Sequence, residues 1–232
     1  MRKLAIAAIL PLLIVVIGLG TAQAQVSVSV DPAKIVNGYM NVYNLPAPDG
    51  DGSFQFASPW GLPDLTAVYS GDELTLGPNT IGDVNEYWYQ CVDPYVAPDC
   101  GGPGAPGNKI MEANCYAEET GPLAGQNVIF SGIVQAVDLT SAHVVIAFIK
   151  DFAPDFSSFN QEFVVLDAVG PFCISLETVN DPARHVQYGF QMTGVNVWVT
   201  DVEPFGSITI GPFCPVSTEP STWGHIKSLL NE

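Results

Sequence analysis

Apolar and polar residues alternate most regularly between Val186 and Thr200. Val186, Tyr188, Phe190 and Met192 fall on one side, with Gln187, Gly189 and Gln191 on the other. After Thr193 and Gly194 the alternation resumes: Val195, Val197 and Val199 share a phase, and Asn196, Trp198 and Thr200 lie between them. A period of two marks a strand with one buried face. A glycine turn between two such runs reads as a hairpin. The pattern therefore predicts a hairpin over Asp181–Asp201, with Trp198 on its solvent face beside Asn196 and across from Gln187 or Gln191.

The rest of the chain reads the same way. Short runs rich in Val, Ile, Phe, Tyr and Thr are separated by Gly and Pro. They predict strands over Val26–Val30, Gly38–Tyr43, Ser53–Ala57, Leu65–Ser70 and Glu73–Leu76. Further strands are predicted over Lys109–Ala117, Gln126–Ala136, Ala142–Lys150, Glu162–Leu166, Phe172–Leu176 and Ser207–Ile210. Ala142–Ile149 is almost continuously apolar, which suits a central strand covered on both faces. No segment before the C-terminal tail has a helical apolar period, and no repeat of roughly 20–50 residues is visible. Many short strands without helices predict an all-β protein, an antiparallel sandwich or barrel.

The ends change the picture. Arg2 and Lys3, the apolar run Leu4–Leu19 and Ala22-Gln23-Ala24 have the three parts of a secretory signal peptide, so residues 1–24 are expected to be removed. Export to the outside or the cell surface follows. No later apolar run is long enough for a membrane span. Residues 25–211 are expected to form one β-domain. Residues 212–232 read as a linker and a short helix, with Trp223, Ile226, Leu229 and Leu230 on one face, available to a docking partner.

Charge excludes two partner classes. The chain has 7 Lys and Arg against 24 Asp and Glu. Nucleic acid and anionic membranes both need basic patches, so neither is expected. All 5 cysteines follow the leader. In an oxidising compartment they can pair. Cys91 and Cys100 bracket a Pro- and Asp-rich loop and form the first expected disulfide, contributing about 2–3 kcal/mol. Cys173 and Cys214 each end a Gly-Pro-Phe-Cys tetrapeptide and form the second. Cys115, in phase with Met111, Ala113 and Ala117, is expected to be a buried thiol.

Candidate chemistry is sparse. Asp49, Asp51 and Ser53 share the spacing of the first ligands of a calcium loop, but Phe54 and Trp60 occupy positions six and twelve, so turn chemistry is the better reading. No Cys/His spacing supports zinc. No carboxylate or nucleophile is spaced so as to tie it to His143, His185 or His225. Asp155, Glu162 and Asp167 are carboxylates available to a hydrolase, with no spacing that selects a pair. Trp60 and Trp88 are further aromatics that could stack on a sugar.

GSFQFASPWGLPDL, YSGDELTLGPNT, AFIKDFAPDFSSF, ISLETVNDPARHVQYGF and VWVTDV together resemble a recurrent, poorly characterised domain of secreted bacterial proteins, often found beside glycan-active modules. The resemblance covers Val26–Ile210, and relative to it Val92–Asp99 looks like an insertion. GFQMTGVNVWVTDV is also similar to the last strands of jelly-roll carbohydrate-binding modules, in which an Asp often ligates a structural calcium. Asp201 matches that position, and the resemblance implies a jelly-roll sandwich. TWGHIKSLL is similar to the C-terminal tails of some bacterial secreted proteins.

Three function classes follow. The first is a non-catalytic module for a polysaccharide or cell-surface glycan, with Trp198, Asn196, Gln187, Gln191, Trp60 and Trp88 as its contacts and calcium at Asp201. The second is a structural surface or filament subunit of adhesin type. The third is a glycoside hydrolase.

Overall fold

The computed structural model describes residues 24–83, 86 and 103–213. The leader, Trp88, Cys91, Cys100, Cys214 and the tail lie outside the described residues, and with them both expected disulfides and the C-terminal helix.

In chain order the first seven strands are β1 (Gln25–Ser29), β2 (Asn37–Asn44), β3 (Phe54–Pro59), β4 (Ala67–Ser70), β5 (Glu73–Leu76), β6 (Thr80–Ile81) and β7 (Lys109–Thr120). The other seven are β8 (Asn127–Val137), β9 (His143–Phe152), β10 (Phe159–Val165), β11 (Gly170–Glu177), β12 (His185–Val195), β13 (Val197–Trp198) and β14 (Ile208–Gly211). One sheet of 6 strands runs β1-β8-β14-β5-β4, with β11 on the other side of β8. The second, also of 6 strands, runs β10-β9-β12-β7-β2-β3. The pairings are antiparallel except β1 with β8 and β6 with β13, which are parallel.

The two sheets stack as a β-sandwich, because each strand of the pattern has one apolar face to bury. Phe130 from β8 and Phe190 from β12 meet across the sandwich with ring centroids 5.4 Å apart, and Phe172 of β11 lies 5.5 Å from Phe130. Val128, Leu74, Ile208 and Ile210 of the first sheet and Ala147, Ile149 and Val186 of the second are fully enclosed with them. Each such Val, Leu, Ile or Phe side chain contributes about 1.5–3 kcal/mol through burial. Cys115 is in this core, as expected, and its thiol is pushed up to about 12 by burial.

The expected hairpin over Asp181–Asp201 does not form. Residues Val186–Val195 run on through Thr193 and Gly194 as one strand, β12, seated between β7 and β9. The chain leaves this sheet at Asn196, whose N–H donates to Lys109 O (3.0 Å), and Val197 N–H donates to Asn79 O (2.9 Å). Val197 and Trp198 then pair with Thr80 and Ile81 in a separate ribbon. A strand that changes partners does not keep its phase. Trp198 is accordingly only 8% exposed, packed with Met40, Val42, Ile81 and Met111, while Val199 is exposed. Asn196 is fully buried, its Oδ1 accepting from Lys109 N–H (2.8 Å). The solvent-platform reading of Trp198 and Asn196 is overturned by this change of sheet.

Asp201 does not continue a strand. It lies in the turn after β13, half-buried, where Oδ2 accepts from Gly104 N–H (2.6 Å) and Oδ1 from Thr200 Oγ1 (2.9 Å). Among the described residues no group of three or more His, Cys, Asp or Glu gathers around a point that could hold a metal. The loop at Asp49–Ser53 shows turn chemistry: Asp51 accepts from Ser53 N–H, Ser53 Oγ and Asn44 Nδ2. Those bonds hold its carboxyl down at about 2. Cys173 is exposed on β11 and forms no disulfide within the described residues. No described helix is long and apolar enough to cross a membrane.

Candidate binding groove on the outer face of the second sheet

The outward residues of β2, β7, β12, β9 and β10 line a groove of about 910 Å³. Its floor follows from register. Gln187 pairs with Glu118 on β7 and with Lys150 on β9. Gln191 pairs with Asn114 and Ile146, and Asn114 pairs with Tyr39 of β2. Because strand side chains alternate, these residues must share a face once Val186, Tyr188 and Phe190 point into the core. Between the two rows, Gly189 lies opposite Tyr116 and Phe148. A Cβ there would stand 2.1 Å from Cys115 O, so only glycine fits.

Polar groups of the floor hold one another. Gln187 Nε2 donates to Glu118 Oε2 (2.7 Å), and Asn41 Nδ2 donates to Glu112 Oε1 (2.6 Å). Lys150 Nζ donates to Asn114 Oδ1 (3.3 Å) and Gln191 Oε1 (3.2 Å), and lies 4.1 Å from the Phe148 ring centroid. Burial pushes the Lys150 ammonium below its ordinary range, against an opposing pull from the Glu112 charge.

Two aromatic walls flank this floor. Tyr39 and Tyr43 stand on β2, and Tyr116 rises from β7. On the opposite side stand Phe152, Phe156, Phe159 and Phe163, the last three about half exposed. Phe152 and Phe159 are neighbours, with centroids 4.9 Å apart. Phe156 sits in the β9–β10 turn with φ 57°, a left-handed conformation unusual for an aromatic residue. Its ring stacks on His185 at 4.4 Å. His185 Nδ1 is bonded to Thr120 Oγ1 (2.8 Å) and lies 3.3 Å from Glu118 Oε1. A strained backbone that presents an exposed ring to a groove is the kind of outlier found at functional sites.

Of the residues picked out by pattern, Gln187 and Gln191 are in the groove. Trp60 is elsewhere, in a recess of about 330 Å³ with Asp64, Asn79, Asp83 and Glu86. Asp155 is tied to Ser157 in the exposed turn, with Oδ1 accepting from its N–H and its Oγ. Glu162 points away from the groove, because Phe159, Gln161 and Phe163 take the other phase of β10. The tyrosines, Lys150 and the phenylalanine wall went unnoticed in the pattern. Their signal was present as aromatic residues four positions apart on the polar phase of strands, at Tyr39 and Tyr43 and at Phe159 and Phe163.

No protein-family model and no curated protein matches this chain. One solved structure, described as "Structural basis for the promiscuous specificity of the carbohydrate-binding modules from the beta-sandwich super family", is similar over 79% of this chain and 85% of that chain, at 10% identity and a TM-score of 0.32. At that distance the likeness says nothing of what this chain binds.

Proposed function

We propose that this chain is an exported, non-catalytic glycan-binding β-sandwich, and that the outer face of the second sheet receives an oligosaccharide. The observation that carries the reading is the groove's division into aromatic walls and an amide-and-charge floor. A sugar ring has apolar C–H faces that pack on aromatic rings and an equator of hydroxyls that need donors and acceptors. Gln187, Gln191, Asn114 and Glu112 offer both kinds. The floor carboxylates Glu112 and Glu118 favour binding over cleavage: six residues apart on one strand, they are separated by roughly 20 Å at the backbone. Glycosidases hold their pair within about 5–10 Å.

Titration calorimetry with a panel of neutral and acidic oligosaccharides tests this. Phe163→Ala removes a half-exposed wall ring, so binding is expected to weaken about 10- to 100-fold, equivalent to about 1.4–2.8 kcal/mol. Stability should move by less than about 1 kcal/mol. Unchanged affinity for a saccharide that binds the unaltered protein would remove the groove from the reading.

A second reading, a structural surface subunit, is favoured by one feature. β10 is an edge strand of seven residues with Phe159, Phe163 and Val165 about half exposed, and such an edge invites strand addition. Concentration-dependent assembly that Phe163→Lys abolishes would select it.

A further inference from the structure

We propose that the groove takes an acidic saccharide, one bearing a uronic-acid carboxylate, and that Lys150 receives that carboxylate. The proposal rests on the glycan-binding reading of the same face and adds the charge of the ligand.

Lys150 stands at the centre of the floor with no carboxylate in contact. Its polar partners are the amide oxygens of Asn114 and Gln191, at 3.3 and 3.2 Å, the long end of the hydrogen-bond range. Both are dipoles rather than charges. The ion pairs among the described residues engage Lys34, Arg184 and His185, and none engages Lys150. The two carboxylates of the floor are turned to other donors, Glu112 to Asn41 and Glu118 to Gln187, with His185 beside it. Phe148, fully buried, fills the space on one side of the ammonium.

The Glu112 charge pulls on this ammonium without pairing with it, and a partly desolvated ammonium with no carboxylate in contact is unfavourable. Burial already holds Lys150 below its ordinary pKa, so the site registers that cost. A ligand carboxylate would bring a charge into direct contact through a bond of about 2.7–2.9 Å. A neutral hydroxyl would add only a third dipole. The chain's net charge of −17 repels polyanions at long range. A preference for acidic sugars must therefore come from this contact, which salt screens less than a surface pair.

The test uses tetrasaccharides of galacturonate, of mannuronate and of hyaluronan. Each is paired with its carboxyl-reduced counterpart, in which every carboxylate has become a primary alcohol. At least one acidic form is expected to bind at least about 10-fold tighter than its reduced form, and Lys150→Met should bring that ratio to within about twofold. Equal or tighter binding of the reduced forms, or of neutral oligosaccharides, overturns the proposal while leaving the glycan-binding reading in place. A preference that survives Lys150→Met also overturns it. Failure of every saccharide, acidic and neutral, removes both. Where Lys150→Met does not fold, Lys150→Gln carries the same comparison with the same two outcomes, and Lys150→Arg should retain the preference.

Discussion

Replacing Asp151 by alanine is expected to destabilise the domain by about 3–5 kcal/mol in chemical denaturation. Asp151 is fully buried at the end of β9, one position from Lys150 and Phe152. Its Oδ1 accepts from Arg184 Nε (2.7 Å), its Oδ2 from Val179 N–H (2.9 Å), and its backbone carbonyl from Arg184 Nη2 (2.7 Å). These bonds pin the segment that leads into β12. Removing the carboxylate leaves the Arg184 guanidinium, itself only 12% exposed in its side chain, without its counter-charge. The loss is dominated by that orphaned cation, so Asp151→Ala with Arg184→Met should cost less than Asp151→Ala alone. A single-variant cost below about 1 kcal/mol would mean that the pair is solvated and does not anchor the groove's end.

Trp198→Ala is expected to cost about 3–5 kcal/mol, the range for deleting a core aromatic. The ring fills the smaller core under β2 and β7 with Met40, Ile81 and Met111. The same variant should leave saccharide affinity within about twofold, because Trp198 packs on the inner faces of β2 and β7, on the side of the sheet opposite the groove. A small stability loss with a large affinity loss would restore the original exposed-platform assignment.

The contrast between Trp198 and Gln187 shows how much of this protein was legible in its sequence. Both were placed by phase. Gln187 and Gln191 lie within one uninterrupted strand flanked on both sides, so alternation fixed their face correctly. Trp198 lies beyond Asn196, where the chain exchanges sheets, and nothing in the local pattern marks that exchange. The hydrogen bonds that cause it come from Lys109 and Asn79, about 90 and 120 residues distant, a long-range fact no alternation encodes. Strand positions were largely readable because each strand here buries one face. The parallel pairing of β1 with β8 was not, since direction depends on topology rather than composition. The groove was missed for a similar reason. Its walls come from β2, β7, β9 and β10, strands adjacent only after folding, and each contributes one or two rings that look unremarkable alone.

The outer face of the second sheet as the binding face is tested most directly by mapping amide and side-chain NMR shifts on titration with the tightest saccharide of the panel. Shifted signals are expected to cluster on Tyr39, Asn114, Tyr116, Lys150, Gln187, Gln191 and Phe163. Shifts gathered instead around the Trp60 recess, or along β8 and β11 of the opposite sheet, would contradict it.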